Sequence, residues 1–193
     1  GADAYGSIIG DFSNSVSAPA AALERCGYGE LFAVMLWKEG TESMLGIMTG
    51  DEAKMAWQVN LGETLDIRST PIVHDVDGDG KPEILIVYDT SSSLQIEMWS
   101  PELTCSESGW QKNGHSNEKV WSYSDTDYRI GIGSPHTPSS QTNHRSVTQP
   151  ILADLEIDGS PELVIAAVDQ NTDDPTVLSF SLTSSVPSEP DWD

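Results

Sequence analysis

Two stretches of this sequence decide its fold: residues 71–86 read PIVHDVDGDGKPEILI, and residues 150–165 read PILADLEIDGSPELVI. They align without a gap at an offset of 79 residues, and half of their positions are identical. Most of the other positions exchange one apolar residue for another, or one acid for another. A match of this quality within one chain indicates an internal repeat, and repeats spaced by tens of residues are typical of propellers and solenoids.

Each copy predicts the same local succession: a short apolar segment, an acidic turn that contains glycine, and then an apolar strand. Further strands follow each copy, and the stretch before the first copy fits the same plan. In chain order, the predicted strands are 7–12, 31–37, 43–48 and 54–59, then 72–73, 83–88, 94–99 and 119–123, and last 151–152, 162–168 and 176–182. The fold class is therefore all-β, with about three β-propeller-like blades of four antiparallel strands, the last blade lacking its fourth strand. A short helix is also expected at 19–25, because a proline stands at its first position.

The first acidic loop has the composition of a calcium site. Carboxylates stand at loop positions 1, 3, 5 and 9, a glycine at position 6, and position 7 offers a main-chain carbonyl. Calcium takes about six to eight oxygen ligands, and alternate acids on a tight turn direct successive side chains inward. The predicted ligands are Asp75, Asp77, Asp79, Lys81 through its carbonyl, and Glu83.

Two other interpretations of this loop are weighed against calcium. An EF-hand or dockerin loop leads into a helix, whereas Pro82 and the apolar run 84–87 favour a strand here. A plain Asp/Gly hairpin turn without any ion is the simplest alternative. Zinc is disfavoured because no cysteine or histidine stands at ligand spacing in the loop.

The second acidic loop is a weaker candidate for an ion. A glutamate replaces aspartate at position 3, and Ile157 stands where the first loop has Gly78. A longer acid and a β-branched neighbour fit a tight turn less well. The candidate ligands are Asp154, Glu156, Asp158, Ser160 through its carbonyl, and Glu162.

The pattern Pro-Ile-x-x-Asp-x-Asp-Gly-Asp-Gly-x-Pro-Glu-Ile of residues 71–84 resembles the FG-GAP/VCBS repeat of integrin α-subunit propellers and microbial surface proteins. The resemblance implies that the acidic loop joins the first two strands of a blade and binds calcium through the ligands named above. Residues 54–62, with the pattern Lys-x-x-Trp-x-x-x-Leu-Gly, and less closely 119–121, are similar to the last strand of PQQ-like propeller blades. The chain departs from the family in one way: propellers close with at least four blades. Three units therefore imply a fragment of a longer protein, a ring completed by neighbouring chains, or an open stack.

The chain divides accordingly into five segments. They are 1–30, a lead strand and insertion; 31–62, the rest of the first blade-like unit; 63–148, the second unit with the calcium loop and a long polar insertion; 149–183, the partial third unit with the second acidic loop; and 184–193, a disordered tail.

Charge and cysteine content limit the partners and the compartment. With 31 acidic and 9 basic residues, the net charge is -22, which disfavours nucleic acid and anionic membrane surfaces as partners. No apolar run is long enough to insert into a bilayer. The only two cysteines, Cys26 and Cys105, form a disulfide if the protein is exported, or remain as two buried thiols.

These observations predict a non-catalytic, extracellular or cell-surface, calcium-binding module for adhesion, recognition or scaffolding, as part of a larger secreted or surface protein. Its ligand is a protein or a glycan, and the open edge of the last blade invites self-association. Trp110, in the polar insertion, is the candidate aromatic contact. The alternative is a propeller-type polysaccharide lyase or hydrolase domain with structural calcium, and a third option is a structural spacer.

Overall fold

A computed structural model gives the architecture of the protein. It describes residues 3–18, 26, 32–49, 53–63, 69–90, 93–111, 118–130, 149–182 and 190. Within these ranges the fold is all-β, as the sequence predicts; a 3-10 turn spans Ser13–Ser15, and the single residues Cys26 and Glu118 have helical and 3-10 conformation. The predicted helix at 19–25 lies outside the described residues, as do much of the polar insertion and all of the predicted tail except residue 190.

Fifteen strands are present in the described residues. In chain order they are β1 Asp3–Gly10, β2 Val16–Ser17, β3 Phe32–Glu39, β4 Glu42–Thr49, β5 Met55–Glu63, β6 Ile72–His74, β7 Glu83–Asp89, β8 Leu94–Trp99, β9 Leu103–Ser106, β10 Gly109–Trp110, β11 Lys119–Asp125, β12 Tyr128–Arg129, β13 Ile151–Ala153, β14 Glu162–Asp169 and β15 Pro175–Ser181.

Most of these strands form three antiparallel sheets, which we call units 1, 2 and 3. Unit 1 has the order β1-β3-β4-β5, and unit 2 has the order β11-β8-β7-β6. In unit 3, β14 pairs with β13 and β12 along one edge and with β15 along the other. The predicted strands are therefore confirmed within a few residues. No fourth strand continues unit 3 beyond β15 among the described residues.

The three units stack face to face, with unit 2 in the middle. Alternate residues of β7 point to opposite sides: Ile84 and Ile86 join a core cluster with unit 1, and Leu85 and Val87 join a second cluster with unit 3. All seven residues of β7 are consequently buried. The run of apolar residues between its terminal acids is expected for a sheet that is covered on both faces.

A small sheet closes one end of the interface between units 1 and 2. It has the order β10-β9-β2, with β2 and β9 parallel. A disulfide joins Cys26 to Cys105 on β9, which decides between the two alternatives left open by the sequence. The indole Nε1 of Trp110 donates a hydrogen bond to the Cys26 carbonyl at 2.8 Å. Trp110 is largely buried and its ring packs edge-on against Phe32, so the candidate aromatic contact of the polar insertion lies mainly in the core.

A buried carboxylate lies within unit 2, beside an aromatic contact with unit 1. Glu97 accepts hydrogen bonds from the Tyr88 hydroxyl at 3.0 Å and from the Trp99 indole at 2.9 Å, and Lys119 pairs with it at 2.6 Å. The Trp99 ring packs edge-on against Trp57 of unit 1. The charge is therefore buried with three partners, which is the condition under which a core tolerates it.

The sequence contains no apolar run long enough to insert into a bilayer, and the helices of the structure bear on the same question. In the described part of the chain, no helix has the length and apolar character needed to cross a bilayer.

Candidate metal centre

The first acidic loop connects β6 to β7 and runs from Asp75 to Pro82. Two of its glycines, Gly78 and Gly80, have φ angles of 74° and 84°, in the left-handed region that favours glycine. The loop folds around the Asp75 carboxylate, which accepts hydrogen bonds from the backbone N–H of Gly78 at 2.8 Å and of Gly80 at 2.9 Å. Glycine at these two positions therefore lets the backbone wrap one side chain from both sides.

The other acids of the loop are fixed in the same manner. Asp77 accepts a hydrogen bond from the backbone N–H of Asp79 at 3.1 Å, and Asp79 accepts one from Lys81 at 2.7 Å. At the end of the loop, buried Glu83 accepts a hydrogen bond from the Val76 N–H at 2.8 Å. These bonds set the orientation of each carboxylate before any cation arrives.

Three of the five predicted ligands converge on one point. One ligand oxygen from each of Asp75, Asp77 and Glu83 lies within 4.8 Å of the other two. Two oxygens on opposite sides of a calcium ion, each at 2.3–2.6 Å, are about 5 Å apart, so this spacing fits the ion. Asp79 is in the same loop but outside this group of side chains, and its carboxylate is held by the Lys81 N–H.

Electrostatics in the loop favours a positive partner. Burial raises the pKa of Glu83, and the charges of Asp77 and Asp79 raise it further, against the opposing hydrogen bonds from the Val76 N–H and the Ser100 hydroxyl. Crowded carboxylates thus repel one another in the ion-free loop. A divalent cation at the point of convergence would turn this repulsion into attraction.

One residue near this loop was missed by the sequence analysis. The Asn14 side-chain amide donates a hydrogen bond to the Gly80 carbonyl at 2.8 Å, across 66 residues of sequence. Asn14 belongs to the 3-10 turn at Ser13–Ser15, which follows β1 of unit 1. The contact joins the tip of the loop to unit 1. Because its two residues are far apart in the sequence, no local motif predicts it.

The second loop repeats this backbone framework without the convergence. Asp154 accepts hydrogen bonds from the N–H groups of Asp158 and Gly159, both at 3.0 Å, and Glu162 accepts one from Leu155 at 2.7 Å. Asp158 accepts one from Ser160 at 2.8 Å. Among the described residues, however, the convergent acidic group is that of the first loop.

Ile157 marks the difference between the loops. It has a φ of 59°, in the left-handed region that β-branched residues avoid, and its side chain is 89% exposed. Glu156 precedes it at position 3 and does not join Asp154, Asp158 and Glu162 in a ligand cluster. Glu156 and Ile157 are the two positions at which the sequence predicts that the second loop fits an ion less well than the first.

Comparisons of the chain with protein-family models, with curated proteins and with solved structures gave no match. A functional conclusion therefore has to come from the loops and the sheets themselves.

Proposed function

We propose that this chain is a calcium-binding, non-catalytic recognition or scaffold module of an extracellular or cell-surface protein. The observation that carries the proposal is the convergence of Asp75, Asp77 and Glu83 oxygens within 4.8 Å in a loop whose backbone already holds them. All three donors are carboxylate oxygens, the ligand type that calcium prefers.

The ion has a structural role in this proposal. Asp75 and Asp77 lie at the start of the loop, and Glu83 is the first residue of β7. A cation held by all three therefore clamps the beginning of the loop to its end and fixes the turn between β6 and β7. Asp79 and the Lys81 carbonyl complete the coordination shell together with water.

The stack of four-stranded sheets supports propeller-like blades as the architecture of the module. Units 1 and 2 each contain four antiparallel strands, and the units bury apolar faces against one another, as blades do. In such an arrangement the loops between the first two strands of successive units repeat around one rim. Calcium would make that rim a rigid platform for ligand contacts.

Charge and the disulfide support the proposed location and partners. The disulfide between Cys26 and Cys105 favours an oxidising compartment, such as the cell exterior. A net charge of -22 disfavours polyanionic ligands and favours protein or glycan partners that are neutral or basic.

Calorimetric titration of the chelator-treated protein with calcium, and separately with magnesium, tests the proposal. We expect one site that prefers calcium, because the loop offers many protein oxygens and no rigid octahedral arrangement. A Glu83→Gln variant should lose this site, whereas Glu102→Gln, an exposed acid outside both loops, should keep it. Absence of calcium binding to the wild-type chain, or binding that survives Glu83→Gln unchanged, would overturn the proposed site.

A further inference from the structure

The tip of the first acidic loop is held by unit 1 as well as by the loop's own carboxylates. Both backbone polar groups of Gly80 are hydrogen-bonded: its N–H donates to the Asp75 carboxylate at 2.9 Å, and its carbonyl accepts from the Asn14 side-chain amide at 2.8 Å. Asp75 is one of the three convergent carboxylates. Two successive hydrogen bonds therefore lead from unit 1 to a proposed calcium ligand.

The peptide group that follows Gly80 is fixed at both of its ends. The Gly80 carbonyl and the Lys81 N–H belong to one planar group. Asn14 holds the carbonyl, and the Asp79 carboxylate accepts a hydrogen bond from the N–H at 2.7 Å. Gly80 has a φ of 84° and no side chain to anchor it, so these hydrogen bonds hold the tip in place. The Lys81 carbonyl, which is a predicted ligand, follows directly.

The turn that carries Asn14 is itself anchored on both sides. Before it, Phe12 is fully buried, and its ring packs edge-on against Phe32 of β3 with 6.1 Å between the ring centroids. Within the turn, the Ser15 N–H donates a hydrogen bond to the Phe12 carbonyl at 2.9 Å. After it, β2 pairs with β9. The Asn14 amide is therefore presented to the loop from a firm support.

Units 1 and 2 also touch at the start of this loop. Gly10, the last residue of β1, lies against Val73 of β6, and a Cβ atom on Gly10 would be 2.8 Å from the Val73 Cγ1 atom. Val73 precedes Asp75 by two residues. Unit 1 therefore meets the first loop at its start through packing and at its tip through a hydrogen bond.

The second loop has the same framework without this contact. At an offset of 79 residues, Gly159 corresponds to Gly80, and its N–H likewise donates to the Asp154 carboxylate, at 3.0 Å. The hydrogen bonds of the described residues include no counterpart of the Asn14 contact at the Gly159 carbonyl. The contact is thus a property of the first loop, in which the carboxylates converge, and not of the repeated framework.

We propose that Asn14 is a positioning residue for the calcium site and couples it to unit 1, so that calcium binding and the packing of units 1 and 2 stabilise each other. The inference rests on the proposed calcium site and adds a regulatory role to it: calcium stiffens the junction between two sheet units. Asn14 and the ion both favour the loop conformation in which Gly80 bonds to Asp75. By linkage, each strengthens the binding of the other by the same factor.

Calorimetric titration of Asn14→Ala with calcium measures one side of this coupling. We expect the Kd for calcium to rise about two- to tenfold, the range that the loss of one hydrogen bond gives. Asn60→Ala is the matched control, because Asn60 is also exposed in unit 1 and also makes a 2.8 Å hydrogen bond, but to the Gly62 N–H, outside both acidic loops. It should keep the wild-type affinity. Thermal melting in chelator verifies that both variants are folded.

Amide hydrogen exchange measures the other side and needs no variant. The N–H groups of Ser15 and Val16 donate hydrogen bonds within the turn, to the carbonyls of Phe12 and Ser13, and neither residue is a proposed calcium ligand. We expect calcium to slow exchange at both N–H groups by a factor of the same order as the change in Kd, relative to amides of β14 in unit 3 that report general stabilisation. In Asn14→Ala this difference should disappear. A turn that only supports the fold would not respond to calcium.

The outcomes separate this inference from the calcium site itself. Absence of calcium binding to the wild-type chain would remove the proposed function and the coupling together. Binding at wild-type affinity in Asn14→Ala would leave the calcium site in place and overturn the coupling. Weakened binding without calcium-dependent protection of Ser15 and Val16 would show that Asn14 shapes only the loop, which also contradicts coupling to unit 1.

Discussion

Replacing Asp77 by asparagine separates two effects of its charge: repulsion of the neighbouring carboxylates in the ion-free loop, and binding of calcium. In the ion-free protein, the Asp77 carboxylate repels those of Asp75 and Glu83, whose oxygens lie within 4.8 Å. Two unit charges at that distance repel by about 1 kcal/mol in water-like surroundings and by roughly 3 kcal/mol at an effective dielectric constant of about 20. Because Asp77 is exposed, the lower value applies.

Asp77→Asn removes two such repulsions, so we expect it to stabilise the ion-free protein by about 2 kcal/mol. The asparagine side-chain oxygen still accepts the hydrogen bond that Asp77 accepts from the Asp79 N–H, so the turn is preserved. In calcium the wild-type protein becomes the more stable of the two, because the variant lacks one charged ligand. A single site at about 100 times its dissociation constant contributes about 2.7 kcal/mol, which raises the melting temperature by about 5–11 °C for a chain of this length.

Thermal melting in chelator and in calcium measures both effects on the same samples. The wild-type protein should show the full calcium-induced rise, and Asp77→Asn should lose most of it while melting at the same or a higher temperature in chelator. Asp174→Asn makes the same charge change at an exposed position outside the loops and should behave as the wild type. A full calcium-induced rise in Asp77→Asn would refute the assignment of this residue as a ligand, and a lower melting temperature in chelator would refute the repulsion.

Three further predictions concern strain, pH and the disulfide. Ile157→Gly should raise the free energy of unfolding by about 1 kcal/mol in urea titrations, because it relieves the left-handed backbone of a residue that buries little. Burial, followed by the charge and hydrogen bond of Glu97, raises the pKa of Tyr88 far above its ordinary value near 10. Its phenol therefore stays protonated in the folded state, so the Tyr88 contribution to stability is complete below pH 10 and declines above it. That decline is about 1.4 kcal/mol per pH unit, and urea unfolding of Tyr88→Phe should show a shallower one. Replacing Cys26 and Cys105 by serine should lower the free energy of unfolding by about 4 kcal/mol in the same assay, since the bridge spans 79 residues.

The sheet units and the first loop were largely predictable from the sequence, for local reasons. Strand β7 is apolar between its terminal acids and β8 is mostly apolar, and the repeat fixes which positions of unit 3 correspond to unit 2. The spacing of the loop acids requires only that the turn between β6 and β7 be tight. The residues that form each of these patterns lie within a few positions of one another in the sequence. Over such short distances the backbone geometry allows few alternative structures.

The features that the sequence did not predict depend on contacts between distant segments. The sheet of β2, β9 and β10 has two strands of only two residues each, too short to show a period. Trp110 stands in a polar stretch, yet the disulfide at Cys105 draws its indole inward to the Cys26 carbonyl. Asn14 reaches the first loop only because units 1 and 2 stack.

The convergence of three carboxylates on one calcium ion is the claim on which the account depends. Crystals grown with calcium, measured for anomalous scattering, locate such an ion without reference to any activity. The account predicts a peak at about 2.3–2.6 Å from oxygens of Asp75, Asp77 and Glu83. A map with no anomalous peak between these side chains, in crystals that contain calcium in excess, would contradict it.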